Sequence, residues 1–255
     1  MSLRLLLTAC LAVLATPLGA QSFSATVDAR DNIFRAGGNA AAGDFPFGGG
    51  NAPGQFSIAP GSGRVLTFGG VSINGTPDPN TGVVGPVWRC YANPDDTGPD
   101  GGFCAGSNTS INPLNGISGI QITSGNMALV GLFLAALPPS GPAPAFLNFL
   151  SKDFSSINPG IGQTFFIGDG RRNDGTTLQQ FFVPDAAQFL YLGVADAGAF
   201  TGNPGFYDDN YGRLTARFRI EGRQPSVVPE PASLLLLGTG LAGVAGAVRR
   251  RRCAF

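Results

Sequence analysis

From Gln21 to about Val228 no apolar stretch keeps a 3.6-residue spacing for long; short apolar or β-branched runs are instead cut off by clusters of Gly, Pro, Asn and Asp. A chain interrupted this often cannot build long helices, and the pattern is that of an all-β sandwich. The clearest run is Arg213 to Ile220. There Leu214, Ala216, Phe218 and Ile220 alternate with Arg213, Thr215, Arg217 and Arg219, so one face is apolar and the other polar. The arginine face reads as a solvated sheet surface rather than a binding patch. Further strands are expected at Phe23 to Val27, Gln55 to Ile58, Arg64 to Phe68, Gly119 to Thr123, Met127 to Ala135, Thr164 to Ile167, Leu178 to Val183 and Phe189 to Val194. Together they predict one sandwich of about eight or nine strands. The segments Gly37 to Gly54 and Pro138 to Pro144, rich in Gly, Ala and Pro, are surface loops on this reading.

Composition removes several chemistries. The chain has no histidine, so it can form neither a Ser-His-Asp triad nor an imidazole metal site. A catalytic role would have to rest on carboxylates, a lysine or an oxygen-held metal. The formal charge is zero, but the segment 21–228 holds 11 basic and 15 acidic residues, a net charge near −4, with Lys152 as its one ammonium group. No basic patch is available, which excludes nucleic acid as a partner.

The two ends are not part of the fold. Residues 1–20 run from a lone Arg4 through a Leu- and Ala-rich stretch to Thr16, Pro17 and Gly19-Ala20, the order of a secretory signal cleaved after Ala20. The exported domain is then 21–227 and the tail 228–255. In the tail, Val228-Pro229-Glu230-Pro231 precedes the uncharged segment 232–248 and the run Arg249, Arg250, Arg251 and Arg252. A span of this length is near the lower limit for one transmembrane helix. Terminal arginines would stay cytoplasmic and leave the bulk of the protein outside.

Val-Pro-Glu-Pro-Ala-Ser, an apolar span and a terminal arginine cluster, in that order, resemble the PEP-CTERM sorting signal of Gram-negative bacteria. The resemblance implies recognition by an exosortase at the inner membrane and removal of the tail near Pro229 to Pro231. It also implies delivery of the domain to the cell surface or extracellular matrix.

Cys10 would leave with the signal and Cys253 lies beyond the arginines, so Cys90 and Cys104 remain. Two cysteines in an exported domain most simply form one disulfide, which would stabilise the intervening loop by roughly 3 kcal/mol. Zinc or redox use is disfavoured by the lack of His and of a C-x-x-C spacing.

The segment with the most chemistry is Val183 to Asp196, followed after a Gly/Asn/Pro loop by Phe206-Tyr-Asp-Asp-Asn-Tyr-Gly-Arg-Leu214. If the two flanking strands were neighbours in one sheet, Asp196 and Asp208-Asp209-Asn210 would meet at its end. Carboxylate, amide and backbone oxygens there suit calcium, which takes six to eight oxygen ligands in flexible geometry. Asp and Asn are also the residues turns favour, so spacing alone leaves both readings open.

Leu-Tyr-Leu-Gly-Val-Ala-Asp196 and Asp208-Asp-Asn-Tyr-Gly-Arg-Leu-Thr215 resemble the C-terminal hairpin of the PA-IL-like, galactose-binding bacterial lectins. That resemblance implies a jelly-roll-like sandwich and one calcium ion held by Asp196, the Phe206 carbonyl, Asp209 and Asn210, with the ion chelating two sugar hydroxyls. Carbohydrate contact would then centre on Asp196 and Asp209. Val65 to Ile73 with Asn74 resembles the strand whose end supplies another carbonyl ligand. Gly98-Pro-Asp-Gly101 falls near the place where the lectins carry a His and a Gln on the sugar, and neither side chain can be matched here, so galactose specificity does not carry over.

The expectation is therefore an exported, non-enzymatic, calcium-binding β-sandwich that binds carbohydrate of the extracellular polysaccharide. The alternative is a structural or adhesive matrix protein in which calcium only stabilises loops. Carboxylate pairs such as Asp95 with Asp100, or Asp208 with Asp209, are what a glycoside hydrolase would need. The chain has one Trp and no hydrolase signature, and chance pairs are expected among its 14 aspartates. Arg171-Arg-Asn-Asp-Gly175 lacks the spacing of an EF-hand loop and reads as a plain turn.

Overall fold

In the computed structural model, residues 20–38, 48–73, 98–102 and 108–222 are described in full, and residues 74, 76–77, 84–85, 89–90 and 93–96 by their backbone. The signal segment 1–20 (apart from Ala20), Cys104, the side chains of Cys90 and Asn74, and the whole tail from Arg223, with its span 232–248, lie outside the described residues. Among the described residues no helix is long and apolar enough to cross a membrane. The compact unit that carries the fold runs to Gly222.

Strands are the main regular structure of the described chain, and its helical segments are short 3-10 turns. Gln21–Asp28 (β1), Arg64–Asn74 (β3), Ser156–Ile157 (β12), Gln180–Val183 (β14) and Arg213–Gly222 (β17) form a five-stranded sheet in the order β1-β17-β3-β14-β12. Gly54–Ser57 (β2), Leu129–Leu134 (β10), Thr164–Phe166 (β13) and Phe189–Val194 (β15) form a second sheet in the order β13-β10-β15-β2. Thr109–Ile111 (β8), Ile120–Ile122 (β9), Leu147–Phe149 (β11) and Thr201–Gly202 (β16) form a third. Two short pairs complete the list, Thr76–Pro77 (β4) with Val84–Gly85 (β5) and Arg89–Cys90 (β6) with Asn93–Asp96 (β7).

All nine expected strands are present within a few residues, and the all-β class holds. The strand count does not. The structure has three principal sheets where eight or nine strands in one sandwich were expected, because strands of two or three residues such as β8, β11 and β16 are too short to show a period of two.

β17 bears out its sequence pattern. Leu214, Ala216, Phe218 and Ile220 are buried while Arg213, Arg217 and Arg219 are exposed. It pairs antiparallel with both β1 and β3, and the register against β3 shifts between Arg217 and Phe218, where Gly69 is the extra residue of a bulge.

The first two sheets meet through phenylalanines. Phe218 stacks on Phe23 at 5.0 Å and meets Phe56 of the second sheet edge-on at 5.1 Å; Phe181 and Phe165 meet across the sheets at 5.5 Å. Aromatic pairs at these distances add to the area they bury, which accounts for the role of the chain's 20 Phe. All six residues of β10 are buried, because the 3-10 segment Ile33–Gly38 packs over β10 and β15 from the other side. A strand covered on both faces loses the alternation of a half-exposed one.

At one end of this core, Arg64 is 1% exposed. Its guanidinium donates to the carbonyls of Ala59, Ala187, Pro184 and Asp185. Ala59 lies between β2 and β3 and the other three lie between β14 and β15, so one side chain fastens two crossings between the same pair of sheets. Burial lowers the Arg64 pKa, and the nearby Asp185 charge partly offsets that.

Candidate functional site

β15 ends at Val194, and the chain returns to β17 at Arg213 through two short 3-10 turns, Gly198–Phe200 and Tyr207–Asp209. Ala199, Phe200 and Phe206 have φ of 49°, 58° and 68°, values in the left-handed region, which allow the connection to fold back tightly. It does not join neighbours in one sheet. β15 lies between β10 and β2, whereas β17 lies between β1 and β3. The expected hairpin is thus corrected to a crossing between sheets, since each strand finds its apolar partners in a different layer.

The meeting of Asp196 with Asn210 survives that correction. Asn210 Nδ2 donates to Asp196 Oδ2 at 2.8 Å and to the Ala29 carbonyl at 3.2 Å. Asp196 Oδ1 accepts from the Ala197 amide at 2.7 Å. Tyr207, fully buried, closes the corner: its hydroxyl accepts from the Asp196 amide at 3.0 Å and donates to the Val194 carbonyl at 3.1 Å. Asp208 packs over Gly48, where a Cβ would stand 2.2 Å from its Cγ.

Asp196 is 3% exposed, and burial pushes its carboxyl up to about 7 against the opposing hydrogen bonds from Asn210 and Ala197; the Asp209 charge pushes it further the same way. Asp209, half-buried, is raised by burial and by the Asp208 charge. Burying a carboxylate disfavours its charged form unless a cation or donors compensate. Two carboxylates raised by burial, one of them facing the charge of the other, beside an amide are a donor set compatible with a hard cation. Phe206, with φ 68°, caps the turn that carries Asp209. Asn74 pairs by its backbone with Arg213 at the end of β3. Among the described residues no group of three or more His, Cys, Asp or Glu is arranged to hold a metal, so any ion here would depend on amide and carbonyl oxygens as well.

Sequence reasoning missed the second half of this region. Asp28, Arg30, Asn51, Asn210, Tyr211, Gly212 and Arg213 line a cleft of about 240 Å³. Arg30 Nε donates to the Asn210 carbonyl at 3.0 Å, and its guanidinium lies over the Tyr211 ring at 5.5 Å. Arg213 Nε pairs with Asp28 Oδ2 at 3.2 Å. Below them Asp31 is buried, its carboxyl pushed up to about 6 by desolvation and by the Asp28 charge, against hydrogen bonds from the Asp28 amide and Asn51. The available signal was Asp28-Ala-Arg30-Asp31 at the end of a strand, a short charged cluster that a solvated turn would also explain.

Of the other carboxylates considered, Asp100 accepts from the Asp169 amide at 2.9 Å and is raised by burial, while the Asp95 side chain lies outside the described residues. Arg171 to Gly175 forms a turn closed by Gly175 N to Arg172 O at 2.8 Å. Asp174 accepts there from the Thr176 and Thr177 amides, which with the Thr177 hydroxyl hold its carboxyl well below the usual range.

The PEP-CTERM protein-sorting motif matches residues 227–252. The motif marks an exported protein, made as a membrane-anchored precursor in Gram-negative bacteria and processed by exosortase. No curated protein and no solved structure matches the chain, so the comparisons give no support to the expected resemblance to galactose-binding lectins.

Proposed function

We propose that the exported domain is a non-catalytic module of the cell surface or extracellular matrix, a jelly-roll-like sandwich in which Asp196, Asp209, Asn210 and the Phe206 carbonyl take one calcium ion. The observation that carries this reading is the buried Asp196 carboxylate, which among the described residues has amide donors but no cationic side chain bonded to it and feels the Asp209 charge. Calcium would supply the missing positive charge, and its loose coordination tolerates a corner built from two loops. The bound ion could then present open positions to sugar hydroxyls of an extracellular polysaccharide. Asn74 and the Cys90–Cys104 disulfide belong to this reading as a further ligand and a loop closure.

A second reading is favoured by one specific feature. Both Asp196 oxygens already accept hydrogen bonds and Tyr207 ties the same corner together, so the corner can serve as a purely structural lock in a matrix or adhesive protein.

Calorimetric titration of the purified protein with calcium, then with a glycan panel in calcium, separates the two. Calcium binding that is lost in Asp196→Asn supports the first reading. Calcium binding without heat from any glycan removes the sugar claim, and absence of calcium binding leaves the structural lock.

A further inference from the structure

The cleft beside that corner is a site in its own right. Its walls come from three separate segments: the end of β1 with Asp28 and Arg30, the approach to β17 with Asn210 to Arg213, and Asn51. These segments are mutually fixed. Asn51 N donates to the Arg30 carbonyl at 2.7 Å, Asn32 N donates to the Asn51 carbonyl at 3.0 Å, and Ala29 N donates to the Gly212 carbonyl at 2.9 Å. Gly50, at φ 64°, lies so near this ladder that a Cβ would stand 2.4 Å from the Arg30 carbonyl. The cleft is therefore set by backbone, not by side chains free to rearrange.

Its charge runs against that of the domain around it. The exported segment is acidic overall, yet two guanidinium groups border this cleft. Among the described lining residues the one carboxylate, Asp28, accepts from the Arg30 amide at 3.1 Å through Oδ1 and from Arg213 Nε through Oδ2, so both its oxygens already serve the wall. The bonds to Asn210 and Asp28 use Nε of each arginine and leave the Nη atoms uncommitted by them. A guanidinium fork of this kind matches a carboxylate in bidentate geometry, and Tyr211 beneath Arg30 restricts that fork's orientation. At about 240 Å³ the cleft falls below the roughly 300–1,000 Å³ typical of drug-sized ligands. It accommodates a single sugar-sized unit, whose hydroxyls could meet the Tyr211 hydroxyl and the exposed Asn51 side chain, which also hydrogen-bonds Asp31.

We propose that this cleft binds a carboxylate-bearing polyol of monosaccharide size, a uronate, with Arg30 and Arg213 holding the carboxylate and Asn51 and Tyr211 facing the hydroxyls. This goes beyond the calcium reading and does not depend on it: the cleft shares Asn210 with that corner, but Arg30, Arg213, Asn51 and Tyr211 are not among the calcium ligands.

The test titrates the purified protein in excess chelator with glucuronate, with a polyuronate and with glucose. Glucuronate and polyuronate are expected to bind and glucose is not. A polymer that binds per residue no better than the monomer identifies a free sugar acid as ligand, and a stronger polymer identifies the polysaccharide. Arg213→Gln, at a side chain 54% exposed, is expected to fold and to weaken glucuronate about tenfold or more. Arg213→Lys is expected to recover only part, because the fork is lost. No binding of either uronate, glucose binding as well as glucuronate, or unchanged binding in a folded Arg213→Gln protein would each overturn the proposal. Loss of calcium binding alone would leave it standing.

Discussion

Replacing Arg64 with Met keeps an unbranched side chain of similar reach and removes every donor. Two opposite outcomes are physically reasonable. Exchanging a buried ionic group for a hydrophobic one is often neutral, because the ion's desolvation cost disappears with it. Here, however, the partners are four backbone carbonyls at distances of up to 3.1 Å, and they stay in place when the guanidinium goes. Hydrogen bonds to a charged donor are worth roughly 1.5–3 kcal/mol each, and an orphaned buried acceptor costs roughly 1–3 kcal/mol. Setting the guanidinium's own desolvation, several kcal/mol, against these gives a net loss of about 3 kcal/mol for Arg64→Met. For Arg64→Lys, whose ammonium can serve at most three acceptors from a shorter stem, about 1–2 kcal/mol is expected. In a domain of this size a loss of about 3 kcal/mol lowers Tm by roughly 6–12 °C. Urea unfolding followed by far-UV circular dichroism measures it directly. A Met variant within about 0.5 kcal/mol of wild type would show that the stitching of the two crossings contributes nothing net and that burial cost cancels it.

The raised carboxyls make stability pH-dependent in a definite sense. Asp196 at about 7 and Asp31 at about 6 hold protons in the fold that the unfolded chain, near 3.8, has released, so stability in chelator should fall as pH rises from about 4 to 7 and level off above that. Asp196→Asn should flatten much of that slope; an unchanged profile in urea midpoints from pH 4 to 8 would refute the burial argument. Phe218→Ala removes a ring that contacts Phe23, Phe56 and Phe68 at 5.0 to 5.5 Å and should cost roughly 3–5 kcal/mol, read by the same unfolding assay. A cost under about 1 kcal/mol there would mean that the two sheets are not held together at this point.

Legibility varied with the range of the interaction involved. β17 was readable because alternation is a property of eight adjacent residues, and burial reproduces it position by position. β10 was found from its apolar run, but its burial on both faces comes from Ile33–Gly38, nearly a hundred residues upstream. Asp196 and Asn210 meet across two sheets and not along one hairpin, so their closeness in the chain hints at the contact while the packing of distant strands makes it. Arg64 gave no warning at all, because an arginine at a strand start is ordinarily exposed.

By itself the sequence determined the β class, the faces of the longest strand, the excluded histidine chemistry and, through residues 227–252, the route of export. These depend on composition and on contacts between near neighbours in the chain. The tertiary structure alone decided that β15 and β17 belong to different sheets, that Arg64 is buried among four carbonyls, and that Arg30 and Arg213 flank one cleft. Each of those is set by which distant segments pack together, and the competition among many alternative pairings of short strands is resolved only when the whole core is buried at once.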